Sequence, residues 1–311
     1  MSSEILVTGA AGFAGSHLID LLARSGARVI AWHRPGGAPA RERAEARWEE
    51  VDLLDQAQVQ AAIDRARPTA VYHCAGAAHV GRAWDSTAST LATNVRGTHH
   101  VLRALERAGV QARVLVPSSA LVYASADEAL TEDHPLLPSS PYGLSKLAQE
   151  MLGVKSNDVL AVTIARSFNH FGPRQDPHFV ASGFARRIAD IERGRWAPEI
   201  SVGNLDARRD LTDVRDTVRA YQLILERGQP GRPYNVCSGH AIAIRELLDR
   251  LIARARVPVE VKVDPARYRP NDTPLLLGNP ARLRDELGWS AEIPIERTLD
   301  DLLEYWRAKT P

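Results

Sequence analysis

Apolar residues fall along this chain in two alternating patterns. Continuous runs at residues 5–7, 28–32, 70–74, 113–117 and 160–165 predict strands buried on both faces. Between them, apolar positions recur three and four residues apart at 16–24, 56–66, 91–108 and 142–152, which predicts helices with one covered stripe. The first helix should stop at Gly26, because glycine readily takes the left-handed conformation that ends a helix. The first strand, helix and second strand fit within about 30 residues, the size of a βαβ unit. Repetition of that unit predicts an α/β fold with a doubly wound parallel sheet.

Beyond residue 165 Pro and Arg become frequent and the apolar runs shorten. Residues 172–177 and 268–274 read as loops, while 180–193 and 213–226 keep helical spacing. The chain divides into a cofactor domain at 1–165 and a smaller C-terminal substrate-binding lobe at 166–311, with some segments returning to the first domain. Residues 34–50, rich in Ala, Arg and Glu, are expected to form a solvated loop and helix.

Composition narrows the function classes. The 311 residues are 44% hydrophobic and 25% charged, as in globular proteins. A net charge of +1 gives no global attraction to nucleic acid or an acidic membrane. Cys74 and Cys237 lie far apart with no CxxC, which argues against a zinc site or disulfide framework and suits a reducing cytoplasm. Both are expected to be small buried apolar residues. No apolar run approaches the roughly 18 residues of a membrane span. The N-terminus runs directly into a strand, leaving no room for a signal peptide. His17, His99 and His100 lie on predicted helices without metal-ligand spacing and are expected to be structural.

Chemistry enters between the first strand and helix. Gly9, Gly12, Phe13, Ala14 and Gly15 belong to a GxxGxxG turn. Small residues there let the backbone approach a pyrophosphate, and the helix start aims free N–H groups at it. At the end of the second strand, where an acidic residue would bind the ribose of NAD, stand His33 and Arg34. A cation there suits a 2′-phosphate, so NADP(H) is expected over NAD(H). Asp52 and Leu53 are placed to contact adenine. Ala75, Gly76 and Ala77 give a small-residue floor under the cofactor.

Tyr142 and Lys146 lie one helical turn apart, on one face. A phenol with a reference pKa of about 10 is a poor acid–base group at neutral pH, and a neighbouring cation favours its phenolate. Ser119, ending the strand at 113–117, is the candidate to hold a substrate oxygen, with Ser118 beside it. Together these groups suit proton transfer beside a hydride transfer at a carbon–oxygen bond.

Residues 8–15, 52–53, 75–77, 118–123, 142–146, 166–173 and 287–289, with Asn94, make the chain resemble the extended short-chain dehydrogenase/reductases, essentially end to end. These are nucleotide-sugar epimerases, dehydratases and reductases. The resemblance implies a Rossmann domain and catalytic roles for Ser119, Tyr142 and Lys146. It implies a supporting role for Asn94, and a homodimer in which the helices at 91–108 and 142–152 form a four-helix bundle.

Within that family, GDP-mannose dehydratases carry a Thr-Ser-Glu run just before the equivalent of Tyr123. Here the run is Ser119-Ala120-Leu121, and leucine cannot move a proton. Residues 168–173, 202–216 and 269–274 resemble GDP-mannose dehydratases and GDP-4-keto-6-deoxy-mannose reductases. With Leu121, that likeness implies reduction of the C4 ketone of GDP-4-keto-6-deoxy-D-mannose to GDP-D-rhamnose, with NADPH as reductant. It implies Arg209 and Arg269 on the diphosphate, where guanidinium forks match phosphate geometry. It also implies Asn169 on the sugar or diphosphate, Arg174 as a further candidate, Ser119 and Ala120 beside the sugar, and Val202 and Asn204 near the base. His170 and His178 flank the sugar site. A 4-epimerase, a dehydratase-like enzyme and a non-catalytic dinucleotide sensor are the alternatives. Arg208, Arg209 and Arg215 could instead form surface ion pairs with Asp206, Asp210 and Asp213, and Trp84 could cover the substrate or pack in the core.

Overall fold

The continuous apolar runs become strands β1 (Glu4–Thr8), β2 (Arg28–His33), β3 (Ala46–Glu50), β4 (Ala70–His73), β5 (Arg113–Ser119) and β6 (Ala161–Ser167) in a computed structural model. It describes residues 4–37, 46–267 and 273–309. Three strands of the second lobe follow, β7 (Asn169–Phe171), β8 (Glu199–Val202) and β9 (Arg208–Asp213). The chain then returns to the main sheet with β10 (Pro233–Val236), completing seven strands in the order β10-β6-β5-β4-β1-β2-β3. All neighbours are parallel. The strand order reverses between β1 and β4, so a crevice opens beyond their carboxyl ends, the usual ligand position in such sheets.

Helices cover both faces. On one, α1 (Phe13–Arg24) packs against α8 (Val214–Arg227), with Leu18, Leu22, Val218 and Tyr221 in a shared core. On the other, α2 (Gln56–Ala66) and α5 (Gly97–Arg107) bury Val59, Ile63, Val101 and Leu105. Each such side chain removed from water contributes about 1.5–3 kcal/mol. The helix α6 (Pro141–Lys155) starts sharply. Pro141 needs no N–H partner in the first turn, and Ser140 Oγ accepts from Gly143 N–H at 3.1 Å.

Two expectations change. Residues 46–50 form β3, paired with β2 from Val29↔Ala46 to His33↔Glu50, and not a loop or helix. An edge strand keeps one face in water, so Arg47, Glu49 and Glu50 sit comfortably there and disguise it as a solvated run. Residues 38–45 lie outside the described residues. The helix expected over 91–108 is also not uniform. It runs from α3 (Val80–Asp85) and α4 (Thr87–Leu91) through one π-helical turn, Ala92–Arg96, into α5. Such turns insert an extra residue and re-aim side chains, often at functional sites.

The second lobe has its own core, shared by α7 (Val180–Glu192), α9 (Ile244–Ile252) and α11 (Ile295–Lys309). It contains the short strands β11 (Ala241–Ala243), β12 (Glu260–Val263) and β13 (Leu275–Leu276), pairing with β9, β8 and β9. The helix α10 (Ala281–Leu287) leads into buried Trp289, whose Nε1 donates to the Asp216 carbonyl on α8 at 3.1 Å. Asp216 also accepts from Glu292 N–H and Ile293 N–H, which fastens the C-terminal lobe to the sheet.

Candidate active site

The glycine-rich turn sits where the strand order reverses. Gly9 has φ +65°, and a Cβ there would fall 2.6 Å from the Ala75 backbone. A Cβ on Gly15 would overlap the Gly9 carbonyl, so the turn closes only without side chains at both places. Helix α1 then begins at Phe13, after an N-cap, Gly12, that offers no side-chain cap. Its first N–H groups lack helical acceptors and border a small-residue cradle in which Gly12 is exposed. That is the chemistry a dinucleotide pyrophosphate requires, so the residues present fit the cofactor.

Its flanks fit as well. Arg34 is exposed at the end of β2 and pairs with no carboxylate among the described residues. The Asp52 carboxylate accepts from Leu54 N–H at 2.9 Å, and His100 Nδ1 lies 2.8 Å from the Leu53 carbonyl. Ala77 N–H donates to Asn94 Oδ1 at 2.7 Å, while Asn94 Nδ2 donates to the Ala77 carbonyl at 3.1 Å and to Ser145 Oγ at 2.8 Å. Asn94 therefore ties the cofactor floor to the residue before Lys146, and the π turn holds it there.

Tyr142, Lys146 and Ser119 converge at the mouth of this crevice. Ser119 ends β5 and caps a short turn, accepting from Leu121 N–H at 3.2 Å. Helix α6 can lie against that turn because residue 143 is glycine: a Cβ there would overlap the Leu121 carbonyl. Half-buried Tyr142 then lies beside Ser119. Burial pushes the phenol up to about 12, and the Ser119 hydroxyl partly opposes this. Lys146 is 8% exposed, and burial lowers its ammonium to about 8 despite the favourable influence of Cys74 and Glu150. The arrangement can donate a proton from Tyr142 and hold an oxygen at Ser119, with the Lys146 cation one helical turn along α6.

The profile of the family described as GDP-mannose 4,6 dehydratase matches residues 6–302. The chain belongs to that family, within the extended short-chain dehydrogenase/reductases. A GDP-6-deoxy-D-mannose reductase of Pseudomonas aeruginosa is 37% identical over 315 residues, spanning 99% of both chains. A dTDP-glucose 4,6-dehydratase of Streptomyces griseus is 33% identical over 271 residues, 82% of this chain and 79% of its own. The solved structure of RMD from Pseudomonas aeruginosa complexed with NADPH covers 99% of this chain and 100% of that one, with TM-score 0.87 and 34% identity. Members of the extended family are NAD(P)-dependent oxidoreductases, and this chain is one of them.

The other expected site residues scatter more. Asn169 is exposed on β7, which pairs with β9 in the register Asn169↔Leu211. This brings it beside the strand carrying Arg209. Arg209 is half-buried and donates to the Thr273 carbonyl at 2.7 Å, at the edge of the segment holding Arg269, which lies outside the described residues. Val202 is buried at the end of β8, and Asn204 Oδ1 accepts from Asp206 N–H at 2.9 Å. Ala120 is buried beneath Ser119.

Arg174 is engaged with α1: its guanidinium pairs with Asp20 and donates to the Ser16 carbonyl at 3.2 Å. His17 Nε2 meets the Pro173 carbonyl at 2.8 Å, completing a clamp between α1 and the loop after β7. Arg215 pairs with Asp213. Asp210 instead accepts from Ser238 N–H and Oγ, Gly239 N–H and Gly278 N–H, tying these downstream loops to the strand of Arg209. Nothing in the local sequence marks Asp210 for that part. Trp84 is 57% exposed and outside the core, and Cys74 is only partly buried. His170 stacks on Phe13, with ring centroids 5.7 Å apart and planes 2° from parallel, a contact between distant motifs that the sequence did not reveal.

Proposed function

We propose that this chain uses NADPH to reduce the C4 ketone of GDP-4-keto-6-deoxy-D-mannose, giving GDP-D-rhamnose. The observation that carries the reading is Leu121. It stands where a dehydratase needs an acid–base group, in a chain that retains Ser119, Tyr142 and Lys146 and resembles a GDP-6-deoxy-D-mannose reductase end to end. A nicotinamide dinucleotide bound in the glycine-rich cradle supplies the hydride. Tyr142, protonated at neutral pH, gives its proton to the new C4 oxygen. Ser119 donates a hydrogen bond to that oxygen as charge develops. Lys146 supplies a positive charge beside Tyr142 and holds the ribose. Arg209 and Arg269 bind the diphosphate, Asn169 orients the sugar, and Val202 and Asn204 border the base. Purified protein mixed with NADPH and GDP-4-keto-6-deoxy-D-mannose should lose absorbance at 340 nm and yield a GDP-6-deoxyhexose. Persistence of NADPH with every keto-sugar would overturn the reading, and epimerisation without net NADPH use would favour a 4-epimerase.

The pH dependence follows from Lys146. Its ammonium, lowered by burial to about 8, is charged at neutral pH and loses its proton above that value. Because kcat/KM reports the free enzyme, it should be level near neutrality and fall as pH rises through about 8. A profile still rising at pH 9 would contradict this role for the lysine charge.

The cofactor preference follows from Arg34. Loss of one charge-assisted contact to a 2′-phosphate is worth about 1.5–3 kcal/mol, so Arg34→Ala should raise the KM for NADPH about 10- to 100-fold. The KM for NADH should stay nearly constant. Equal changes with both cofactors would remove Arg34 from that role.

The assembly is a homodimer. An apolar groove lined by Leu91, Val95, Leu144, Ala148 and Leu152 runs along α6 and its neighbouring helix, and Leu144, Met151 and Val154 on α6 are largely exposed. Two copies packed on this face would bury these side chains in a four-helix bundle. The wild type should sediment as a dimer and Leu144→Glu as a monomer. A monomeric wild type would refute the assembly.

A further inference from the structure

A directed chain of buried hydrogen bonds runs beneath the cofactor turn. Ala75 N–H lies 3.2 Å from Thr8 Oγ1, which lies 2.9 Å from His73 Nδ1. His73 Nε2 lies 2.9 Å from Thr98 Oγ1. Thr98 Oγ1 lies 2.5 Å from the Asn94 carbonyl and 2.6 Å from Gln149 Nε2. Thr8, His73, Thr98, Asn94 and Gln149 are all buried.

Chemistry fixes every direction. The Asn94 carbonyl can only accept and the Gln149 amide nitrogen can only donate, so the single Thr98 hydroxyl proton goes to Asn94. His73 Nε2 must then donate to Thr98, which leaves Nδ1 as the acceptor of the neutral ring. Thr8 gives its proton to Nδ1 and accepts from Ala75 N–H. Burial, with the nearby Lys146 charge, lowers the His73 pKa to about 3, so the ring stays in this one tautomer at neutral pH.

The two ring nitrogens serve different ends of the site. Through Thr8, Nδ1 secures the Ala75 crossing over Gly9, where the backbones pack too closely for a Cβ on Gly9. Through Thr98, Nε2 secures the carbonyl of Asn94 in the π turn and the side chain of Gln149 on α6. Asn94 in turn grips Ala77 and Ser145, the neighbour of Lys146. We infer that His73 is a positioning residue whose Nδ1 holds the cofactor turn and whose Nε2 holds the helix carrying Tyr142 and Lys146.

The test separates the two ends. An asparagine amide reaches only the place of Nδ1, and a glutamine amide only that of Nε2. NADPH dissociation constants are measured by fluorescence titration of the full chain. The kcat is measured at saturating NADPH with GDP-4-keto-6-deoxy-D-mannose, and this arm rests on the reductase reading. His73→Gln, which loses the Thr8 bond, should weaken NADPH binding about fivefold with kcat nearly unchanged. His73→Asn, which loses the Thr98 bond, should bind NADPH nearly as well as wild type while kcat falls about tenfold. Thr8→Val and Thr98→Val should reproduce the two patterns, and they decide the matter if a His73 variant fails to fold. Parallel losses of binding and turnover in both variants, or no loss in either, would overturn this division of roles. A wild type that turns over no keto-sugar would sink the substrate assignment alone. The four dissociation constants would then decide: weakening confined to His73→Gln and Thr8→Val supports the division of roles, and equal weakening in all four overturns it.

Discussion

Tyr142→Phe should lower kcat for ketone reduction by about 10²–10⁴-fold, the usual range for removing a positioned general acid, while NADPH still binds. The substitution deletes one oxygen from a half-buried ring. The α6 backbone, the Ser140 cap and the Gly143 approach to Leu121 stay as they are. Lost with the hydroxyl are the proton for the alkoxide at C4 and the polar contact with the Ser119 hydroxyl. Ser119 remains to donate to the developing oxyanion, so some turnover should survive, and combining Ser119→Ala with Tyr142→Phe should remove most of what is left. Activity is followed at 340 nm and cofactor binding by fluorescence. Near-normal turnover in Tyr142→Phe would assign the proton transfer to another group. A collapse of both turnover and NADPH binding would mean that the tyrosine supports the cofactor site rather than the chemistry.

What could be read from the chain differs with the range of the interactions involved. The buried strands β1, β2, β4, β5 and β6 are written locally, because burial on both faces demands continuous apolar residues. The turn from Gly9 to Gly15 and the Tyr142–Lys146 spacing are local too, and each carries its own chemistry. Edge strands are not: β3 keeps charged residues in water, and β10 is four residues long. Nor does sequence show which arginines are already engaged. Arg174 meets Asp20, a partner 154 residues away, and this commitment exists only once α1 and the loop after β7 are packed together. Asp210 is similar, holding Ser238, Gly239 and Gly278 from positions 28 or more residues downstream. The His73 chain was hidden for the same reason, since Thr8, His73, Thr98 and Gln149 sit on four separate elements. The likeness to relatives supplied the substrate class, which no side-chain spacing in the second lobe specifies unaided.

The most damaging single change to the fold away from the reacting groups should be Arg166→Met, at the end of β6. Arg166 and Glu150 are 5% and 4% exposed. Arg166 Nη2 donates to Glu150 Oε2 at 2.9 Å, Nε to both carboxylate oxygens, and Nη1 to Tyr123 Oη at 3.1 Å and the Glu132 carbonyl at 2.9 Å. Its guanidinium also lies 4.9 Å from the centre of the Tyr123 ring. Ser118 donates to Glu150 from the other side. A methionine fills much of the same volume but leaves the Glu150 carboxylate buried without its cation, so stability should fall by about 3–5 kcal/mol. Removing the carboxylate as well, in Arg166→Met with Glu150→Met, should recover a large part of that loss, because the principal penalty is the stranded charge and not the missing attraction. Lys262→Met, which breaks the exposed pair with Glu199, should leave the urea midpoint almost unchanged. Urea unfolding of the four proteins makes the comparison directly. If the double variant were no more stable than Arg166→Met alone, the network of Tyr123, Glu132 and Ser118 would be the main support. In that case the ion pair would matter chiefly as the frame that sets Ser118 and α6, and through them Ser119 and Lys146, in place.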